Sequence, residues 1–182
     1  MLNSIEKVLI SEEELDLKTT ELAERISSDF AGKELILIGI LKGGVVFASE
    51  LIKKINIPME IEFMAVSSYG KESETSGVVT LKKDIDTTLK GKCVIVVEDI
   101  VDSGFTMKYL KKLLMDRNAE SVKICTLLSK PSRRKVDVEL DYIGFEVPDE
   151  FVVGYGLDYA QMYRNLTYIG VLKAEVYEKN LD

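Results

Sequence analysis

The chain has 182 residues, of which 46% are hydrophobic and 30% charged, with three prolines; this is the composition of a single globular domain and excludes a disordered or fibrous protein. Its formal net charge of −7 argues against DNA or RNA as the main partner, because phosphate backbones require a basic surface. The chain contains no histidine, so proton transfer falls to carboxylate, lysine, tyrosine or thiol groups. Any metal ion is expected to be a hard, oxygen-bound one such as Mg²⁺.

The start of the chain does not have the pattern of a targeting signal. Acidic side chains interrupt residues 1–30, so this stretch lacks the apolar centre of a signal peptide. No other segment approaches the roughly 20 apolar residues of a membrane span. Cys93 and Cys125 each lie inside an apolar run, which favours reduced, buried thiols over a disulfide or a metal site. We therefore expect a cytoplasmic protein.

The first quarter of the chain predicts two helices around a buried strand. Ser11, with Glu14 three residues later, has the pattern of a capping box, and the apolar spacing that follows predicts a helix ending near Gly32. The almost continuous apolar run at 35–41 predicts a strand that is covered on both faces. This strand leads directly into a Lys-Gly-Gly turn and a second helix over 45–55.

A strand and a polar loop come next. Residues 59–66 partly alternate between polar and apolar side chains, which predicts a strand. The stretch 71–77 contains no apolar residue and cannot contribute to a core. We therefore predict a mobile loop near 68–80, of the kind that closes over an active site.

The middle of the chain predicts a parallel β-α-β unit, with a strand at 93–97, a helix at 107–118 and a strand at 122–128. Ligands of open parallel sheets bind where the carboxyl ends of the strands meet the starts of the helices. Shorter apolar runs follow and predict edge strands or a small hood, at 142–145, 151–155 and 168–172.

The densest polar motif, VIVVEDIVDSGFT, runs from the buried strand into the start of the helix. It places Glu98, Asp99 and Asp102 within five residues. The helix N-terminus and the backbone amides around Gly104 form a cradle for an anion such as a phosphate, and Thr106 adds a hydroxyl. A phosphorylated sugar suits this combination, because its hydroxyls bind carboxylates directly or through a metal ion. The alternative, that the acids only cap a helix, requires one acid and not three.

This motif resembles the phosphoribosyl pyrophosphate motif of type I phosphoribosyltransferases. Other segments, in matching order, resemble the hypoxanthine phosphoribosyltransferases of that family: residues 41–44, the SSYG stretch, Lys130, and GFEVPDEFVVGYGLDY with Arg164. The resemblance spans most of 35–172. It implies an α/β type I phosphoribosyltransferase fold, with a central parallel sheet flanked by helices and a small hood from the termini, in one domain over 1–182.

The resemblance also implies a reaction, the Mg²⁺-dependent transfer of the 5-phosphoribosyl group from phosphoribosyl pyrophosphate to hypoxanthine, and to guanine, in purine salvage. Asp102 would be the general base that takes the proton from the imidazole ring of the purine. Glu98 and Asp99 would contact the ribose hydroxyls directly or through Mg²⁺, and Asp158 would bind a second Mg²⁺. The 5′-phosphate would be bound by four consecutive residues: Ser103, Gly104, Phe105 and Thr106.

By the same resemblance, the pyrophosphate group would be bound by Lys42, Gly43, Ser68, Tyr69 and Arg164. In this family the first of these segments often contains a non-proline cis peptide, which here would join Leu41 to Lys42. Ser68 and Tyr69 would lie at the tip of the loop that excludes water from the reactive sugar.

The purine base would be bound by three further residues. Lys130 would donate to the 6-oxo group, Phe151 would stack on the ring, and the Val152 backbone would read the edge of the base. An ammonium group facing the exocyclic amine of adenine would oppose two donors, which predicts that adenine is excluded.

Other functions compete with this interpretation. One is a xanthine-preferring phosphoribosyltransferase, and another is a non-catalytic regulator that binds phosphoribosyl pyrophosphate on the same fold. A third is a receiver-like signalling domain, but its acid pair should follow the first strand, whereas here the acids come in the middle of the chain. The family resemblance also implies a homodimer or homotetramer, and the net charge and the lack of a long apolar segment predict no nucleic acid or membrane partner.

Overall fold

The computed structural model describes residues 2–68 and 79–177. Its strands in chain order are β1 (Ile5–Ile10), β2 (Leu35–Leu41), β3 (Met59–Ser68), β4 (Val79–Lys83), β5 (Cys93–Val101), β6 (Ser121–Ser129), β7 (Tyr142–Glu146), β8 (Val152–Val153) and β9 (Ile169–Leu172). Its helices are α1 (Glu12–Asp29), α2 (Gly44–Lys54), α3 (Phe105–Asp116) and α4 (Ala174–Tyr177).

Six strands form the central sheet in the order β4-β3-β2-β5-β6-β7. The four pairings from β3 to β7 are parallel, and β4 pairs antiparallel with β3 at one edge. The apolar run at 35–41 forms the interior strand β2, whose residues are buried on both faces. This confirms the predicted α/β class and its central, mostly parallel sheet.

Helices cover both faces of this sheet. On one face α1 and α2 pack against alternate residues of β2 and β5, including Leu35, Leu37 and Ile95. On the other face α3 packs against the residues between them, including Ile36 and Val94. A strand between two helical layers must bury both sets of side chains, which explains the continuous apolar runs in the sequence.

Local sequence signals explain where the helices begin. Ser11 caps α1 and forms the predicted capping box: its side chain accepts from the Glu14 backbone N–H, and the Glu14 carboxylate accepts from the Ser11 N–H. Gly104 precedes α3 with a φ of 87°, a conformation that favours glycine. Both helices start within two residues of their predicted positions.

A second, three-stranded sheet has the order β1-β9-β8, and all its pairings are antiparallel. Its strands β1 and β9 come from the two ends of the chain. The sequence interpretation predicted a small hood from the termini. We refer to this second sheet as the hood.

The structure differs from the sequence interpretation in three places. Strand β5 continues to Val101, because its pairing with β6 extends to Ser129, so Glu98 and Asp99 lie on the strand and not in a loop. Strand β8 is only two residues long and ends before Gly154, where φ becomes positive. Residues 69–78 of the predicted mobile loop lie outside the described residues, and residues 79 and 80 belong to β4.

An ion pair joins the β4–β5 connection to the end of α3. The Arg117 guanidinium donates from both Nη atoms to the Asp84 carboxylate, at 2.6 and 2.7 Å. Hydrogen bonding to Arg117 lowers the pKa of Asp84. The pKa of Asp84 is thus lower in the folded state than in the unfolded state. The stabilisation by this ion pair is therefore complete above the unfolded-state pKa, and it is lost as the pH falls through the folded-state pKa.

Asp84→Asn is therefore expected to lower the free energy of unfolding at pH 7 by about 0.5–1 kcal/mol, since solvent screens a pair whose side chains are 44% and 31% exposed. The difference in the free energy of unfolding between this variant and wild type should shrink towards pH 3. Urea unfolding at pH 7 and at pH 3 measures this difference. Asp116→Asn, in the more exposed pair with Lys112, is the control and should have little effect; equal losses from both variants would contradict the prediction.

Candidate active site

The predicted site residues collect at the carboxyl edge of the parallel sheet. Lys42 follows β2, Asp102 follows β5 and Lys130 follows β6. The segment that carries Phe151 follows β7. Because these four strands are neighbours and parallel, their ends bring together residues that are far apart in sequence.

Glu98 and Asp99 are adjacent carboxylates near the end of β5. The Asp99 N–H donates to Glu98 Oε1 at 3.3 Å, and the Ile100 N–H donates to Asp99 Oδ1 at 2.8 Å. Removal from water, followed by the negative charge of Asp99, raises the pKa of Glu98 well above its ordinary value. Burial likewise raises the pKa of Asp99. A cation or a set of hydroxyl donors would relieve this repulsion.

A cavity of about 290 Å³ lies between the end of β5 and the start of α3. Asp102 lines it, and Asp102 Oδ1 is buried with no hydrogen-bond partner within residues 2–68 and 79–177. Buried carboxylate oxygens are normally paired, so an unpaired one requires an explanation. The other lining residues are Glu98, Ile100, Val101, Ser103, Gly104, Thr106 and Met107.

The wall of this cavity contains the predicted anion cradle. Helix α3 begins at Phe105 with Gly104 as its N-cap, and glycine has no side chain that could accept from the first amides of the helix. The first amides of α3 therefore have no side-chain acceptor at the cap, and the positive end of the helix dipole faces the same region. Ser103 and Thr106 flank this turn, and the Lys135 N–H donates to the Ser103 carbonyl from behind at 3.0 Å.

At the end of β2, the peptide bond between Leu41 and Lys42 is cis, as the family resemblance implied. The next residue, Gly43, lies against Asp99 so closely that a Cβ built on Gly43 would overlap the Asp99 carboxylate. A Cβ on Gly156, which has a φ of 103°, would in turn overlap the Gly43 carbonyl oxygen. Two glycines thus allow this turn to lie between the acid pair and the segment around residue 156.

Asp158, Gln161 and Arg164 form a polar cluster beside this turn. Arg164 Nη2 lies 2.6 Å from Asp158 Oδ1, and Arg164 Nη1 donates to the Gly156 carbonyl at 2.7 Å. The Gln161 side-chain carbonyl accepts from Lys42 Nζ at 3.1 Å and from Arg164 Nη2 at 3.4 Å. The structure therefore places the two predicted pyrophosphate-binding cations on one side-chain oxygen.

The predicted purine-binding residues meet at the end of β6. Lys130 is 6% exposed, and its ammonium donates to the Glu150 carbonyl at 2.8 Å. Phe151 is 38% exposed, whereas Val152 is buried and pairs with Val171 in the hood. Within the described residues this bond occupies one of the three donors of the ammonium group.

No group of three or more acidic or cysteine side chains with metal-binding geometry occurs among residues 2–68 and 79–177. Glu98 and Asp99 lie together, whereas Asp158 is paired with Arg164. Mg²⁺ commonly binds through one or two carboxylates and completes its shell with water and substrate phosphate. The acid pair fits an ion of that kind, whereas Asp158 would have to exchange its ion pair with Arg164 for a metal ion.

Of the other predicted residues, Ser68 ends β3 and Tyr69 lies outside the described residues. Cys93 and Cys125 are free and buried, as expected. No helix within the described ranges is long and apolar enough to cross a membrane.

The sequence interpretation missed two residues of this region. Gln161 lies between Asp158 and Arg164 and carries no charge, so nothing in its type marked it. Arg134 donates from Nη2 to the Val101 carbonyl at 3.3 Å and to Ser129 Oγ at 3.0 Å, and thereby joins the ends of β5 and β6. In the sequence, the feature that relates Arg134 to the site is its position four residues after Lys130.

Comparisons with known proteins identify the class of enzymes to which this chain is similar. The family model described as the phosphoribosyl transferase domain matches residues 10–160. A hypoxanthine-guanine phosphoribosyltransferase of Bacillus subtilis is 53% identical over 178 residues, covering 98% of this chain and 99% of that protein. One of Streptococcus agalactiae is 51% identical and covers 97% and 98%.

A crystal structure of a hypoxanthine phosphoribosyltransferase from Staphylococcus aureus has a TM-score of 0.94 and 47% identity to this chain, covering 97% of this chain and 96% of that one. The class defined by the fold and by the loop after β5 is thus the type I phosphoribosyltransferases. Within that class, the chain belongs to the hypoxanthine-guanine phosphoribosyltransferase family.

Proposed function

We propose that the chain transfers the 5-phosphoribosyl group from phosphoribosyl pyrophosphate to hypoxanthine and guanine, giving inosine or guanosine monophosphate and pyrophosphate in purine salvage. The observation that carries the proposal is Asp102 Oδ1 in the cavity at the start of α3, which is buried and has no hydrogen-bond partner among the described residues. A general base needs a free acceptor beside the reacting atom. The names of the relatives, and their identity of about 50% over nearly the whole chain, support the choice of substrates.

In the proposed reaction Asp102 accepts the proton from the imidazole ring of the purine. A ring nitrogen forms a bond to the anomeric carbon of the ribose while the bond from that carbon to the pyrophosphate oxygen breaks. The leaving group departs as pyrophosphate. The anomeric carbon acquires oxocarbenium character, which the nearby carboxylates of Glu98 and Asp99 would stabilise.

The sugar phosphate would be held by the two halves of the β5–α3 segment. The amides at the start of α3, with the Ser103 and Thr106 hydroxyls, would donate to the 5′-phosphate, and Gly104 and Phe105 would contribute backbone only. Glu98 and Asp99 would accept from the ribose hydroxyls. This acid pair would hold one Mg²⁺ and Asp158 a second, and metal bound there would neutralise charge on the substrate and the departing pyrophosphate.

The pyrophosphate would lie against Lys42, Gly43 and Arg164. Lys42 and Arg164 supply positive charge there, and their link through Gln161 keeps both side chains at the same end of the site. Ser68 and Tyr69, with the loop near 68–80, would cover this end and exclude water. Exclusion of water protects the reactive sugar from hydrolysis.

The residues that follow β6 and β7 would select the purine base. The Lys130 ammonium would face the 6-oxo group, Phe151 would stack on the base, and the Val152 backbone would bind its edge. The buried ammonium would meet a donor in adenine, and this mismatch disfavours adenine.

The test is a product assay with purified protein, Mg²⁺, phosphoribosyl pyrophosphate and one base at a time. We expect nucleotide from hypoxanthine and guanine, none from adenine, and none when a chelator removes the metal. Comparison of kcat/KM for xanthine with those for the other two bases decides whether the enzyme prefers xanthine. Absence of product with hypoxanthine, guanine and xanthine would overturn the proposal.

Gln161→Glu provides a separate prediction. A carboxylate at this position would pair with Lys42 and Arg164 and compete with pyrophosphate for them. We expect the KM for phosphoribosyl pyrophosphate to rise about 10-fold, the effect of one charge-assisted hydrogen bond, and the KM for hypoxanthine to stay unchanged. Initial rates with each substrate varied in turn measure both constants. A change in the KM for the base alone would place Gln161 elsewhere in the site.

We further propose that the chain functions in the cytoplasm, as its composition predicts, and that it forms a homodimer or homotetramer of one domain over residues 1–182, as the family resemblance implies. Size-exclusion chromatography with light scattering tests the oligomeric state directly. A monomer at assay concentrations would contradict it.

A further inference from the structure

The Phe151 ring is held by two other aromatic rings. Tyr177, at the end of α4, stacks on it with the ring centroids 4.9 Å apart and an interplanar angle of 20°. Tyr159 contacts it edge-on, at 5.6 Å and 87°. Both arrangements are favourable for aromatic pairs, so the plane of the Phe151 ring is fixed from two directions.

The hood places Tyr177 in this position. Strand β9 ends at Leu172, whose N–H donates to the Phe151 carbonyl at 2.8 Å. The next residue, Lys173, donates its N–H to the Ser4 carbonyl at 3.0 Å, which fastens the start of α4 to the other end of the chain. The backbone of Phe151 and the helix that carries Tyr177 are therefore held by one strand.

The hood also holds the residue before Phe151. Lys7 on β1 forms an ion pair with the Glu150 carboxylate at 2.7 Å, and the Glu150 carbonyl accepts from Lys130 Nζ at 2.8 Å. Both ends of the chain thus contact the short segment to which the base-reading lysine is bound. The contacts of Tyr177 and Lys7 lie outside the cavity at the start of α3.

An aromatic ring has two faces, and Tyr177 covers one face of Phe151. A base that stacks on Phe151 must then use the opposite face or displace Tyr177. We propose that Tyr177 is a positioning residue for the purine base: it backs Phe151 on the face away from the base and fixes the ring plane on which the base stacks. This inference rests on the proposed function and extends it to a residue outside the substrate contacts.

A fixed ring plane favours base binding because less side-chain freedom is lost when the base stacks. Removal of Tyr177 should therefore weaken binding of the base and leave the sugar phosphate site unchanged. We expect the KM for hypoxanthine to rise about 3- to 10-fold, which is the fold-change that corresponds to the loss of one aromatic pair.

The experiment compares wild type with Tyr177→Ala, Tyr177→Phe and Val176→Ala, the last as a control in the same helix. The KM for hypoxanthine, the KM for phosphoribosyl pyrophosphate, kcat and the thermal midpoint are measured for each. We expect a raised KM for hypoxanthine in Tyr177→Ala only, with the KM for phosphoribosyl pyrophosphate and kcat within about 2-fold of wild type, an effect of negligible free energy. Tyr177→Phe keeps the ring and should behave as wild type.

Two results would overturn the inference while wild type remains active. An unchanged KM for hypoxanthine in Tyr177→Ala would show that the stack has no role in base binding. A lowered KM would show that Tyr177 competes with the base for the same face of Phe151. If wild type itself forms no nucleotide from any of the three bases, the proposed function fails and the inference fails with it.

Discussion

Asp102→Asn is expected to lower kcat by about 10²- to 10⁴-fold, the usual contribution of a positioned general base. Asparagine has nearly the same shape and keeps an oxygen at the same place, but it cannot accept the proton from the purine. Asp102 Oδ1 makes no hydrogen bond within the described part of the chain, so the exchange removes no observed contact of that atom. The fold and the sugar phosphate site should therefore survive.

The measurement pairs steady-state kinetics with titration calorimetry of phosphoribosyl pyrophosphate in the presence of Mg²⁺. The dissociation constant should stay within about 3-fold of wild type, because only a step of the chemistry is lost. Asp86→Asn, the same exchange at an exposed position, is the control and should leave kcat unchanged. A parallel loss of affinity and turnover in Asp102→Asn would reassign Asp102 to substrate binding.

The fold could be predicted well because its signals are local. The capping box at Ser11 and Glu14, the apolar run at 35–41 and the helical spacing after Gly104 each depend on neighbours within a few residues. The extent of β5 could not be predicted in the same way. Acidic residues usually end a strand, but the pairing of β5 with β6 continues the strand past Glu98.

The arrangement of the site was predictable only in part. Residues at the ends of parallel strands were expected to converge, and Lys42, Asp102 and Lys130 do lie at one edge of the sheet. Contacts between distant segments leave no periodic signal. The hydrogen bond from Lys42 to Gln161 joins residues that are 119 positions apart.

Tyr177 illustrates the same limit. In the sequence it is one aromatic residue near the end of the chain, and nothing in its spacing relates it to Phe151. Its position follows from the pairing of β9 with β1 and β8, which is a property of the whole hood. A ring contact between residues so far apart in sequence is found only when the tertiary structure is known.

Gly43 is the other position at which a small change is expected to have a large effect. Its φ of −60° and ψ of −46° suit any residue, so the requirement for glycine comes from space and not from backbone conformation. An added Cβ would overlap Asp99 Oδ2, the nearest atom, and would lie 2.6 Å from Asp99 Cγ. Alanine at position 43 would therefore push the Asp99 carboxylate out of its present place.

Gly43→Ala is expected to lower kcat/KM by about 100-fold, since displacement of a substrate-binding group by about 1 Å costs that much. Overpacking should also lower the free energy of unfolding by about 1–3 kcal/mol. Steady-state kinetics and urea unfolding measure the two effects. Gly32→Ala is the control for stability. The φ of 74° at Gly32 makes alanine unfavourable there, but no atom lies within 4 Å of the added Cβ. The stability of this variant should therefore fall while its activity remains.

A double-mutant cycle with Asp99→Ala tests the cause. Asp99→Ala removes Cγ and both oxygens, which are the three atoms nearest to the added Cβ. If the carboxylate is what opposes a side chain at position 43, Gly43→Ala should destabilise the Asp99→Ala protein less than it destabilises wild type. Equal destabilisation in both backgrounds would mean that the Asp99 carboxylate is not what opposes a side chain at position 43. In that case the loss of activity would come from the turn itself and not from Asp99.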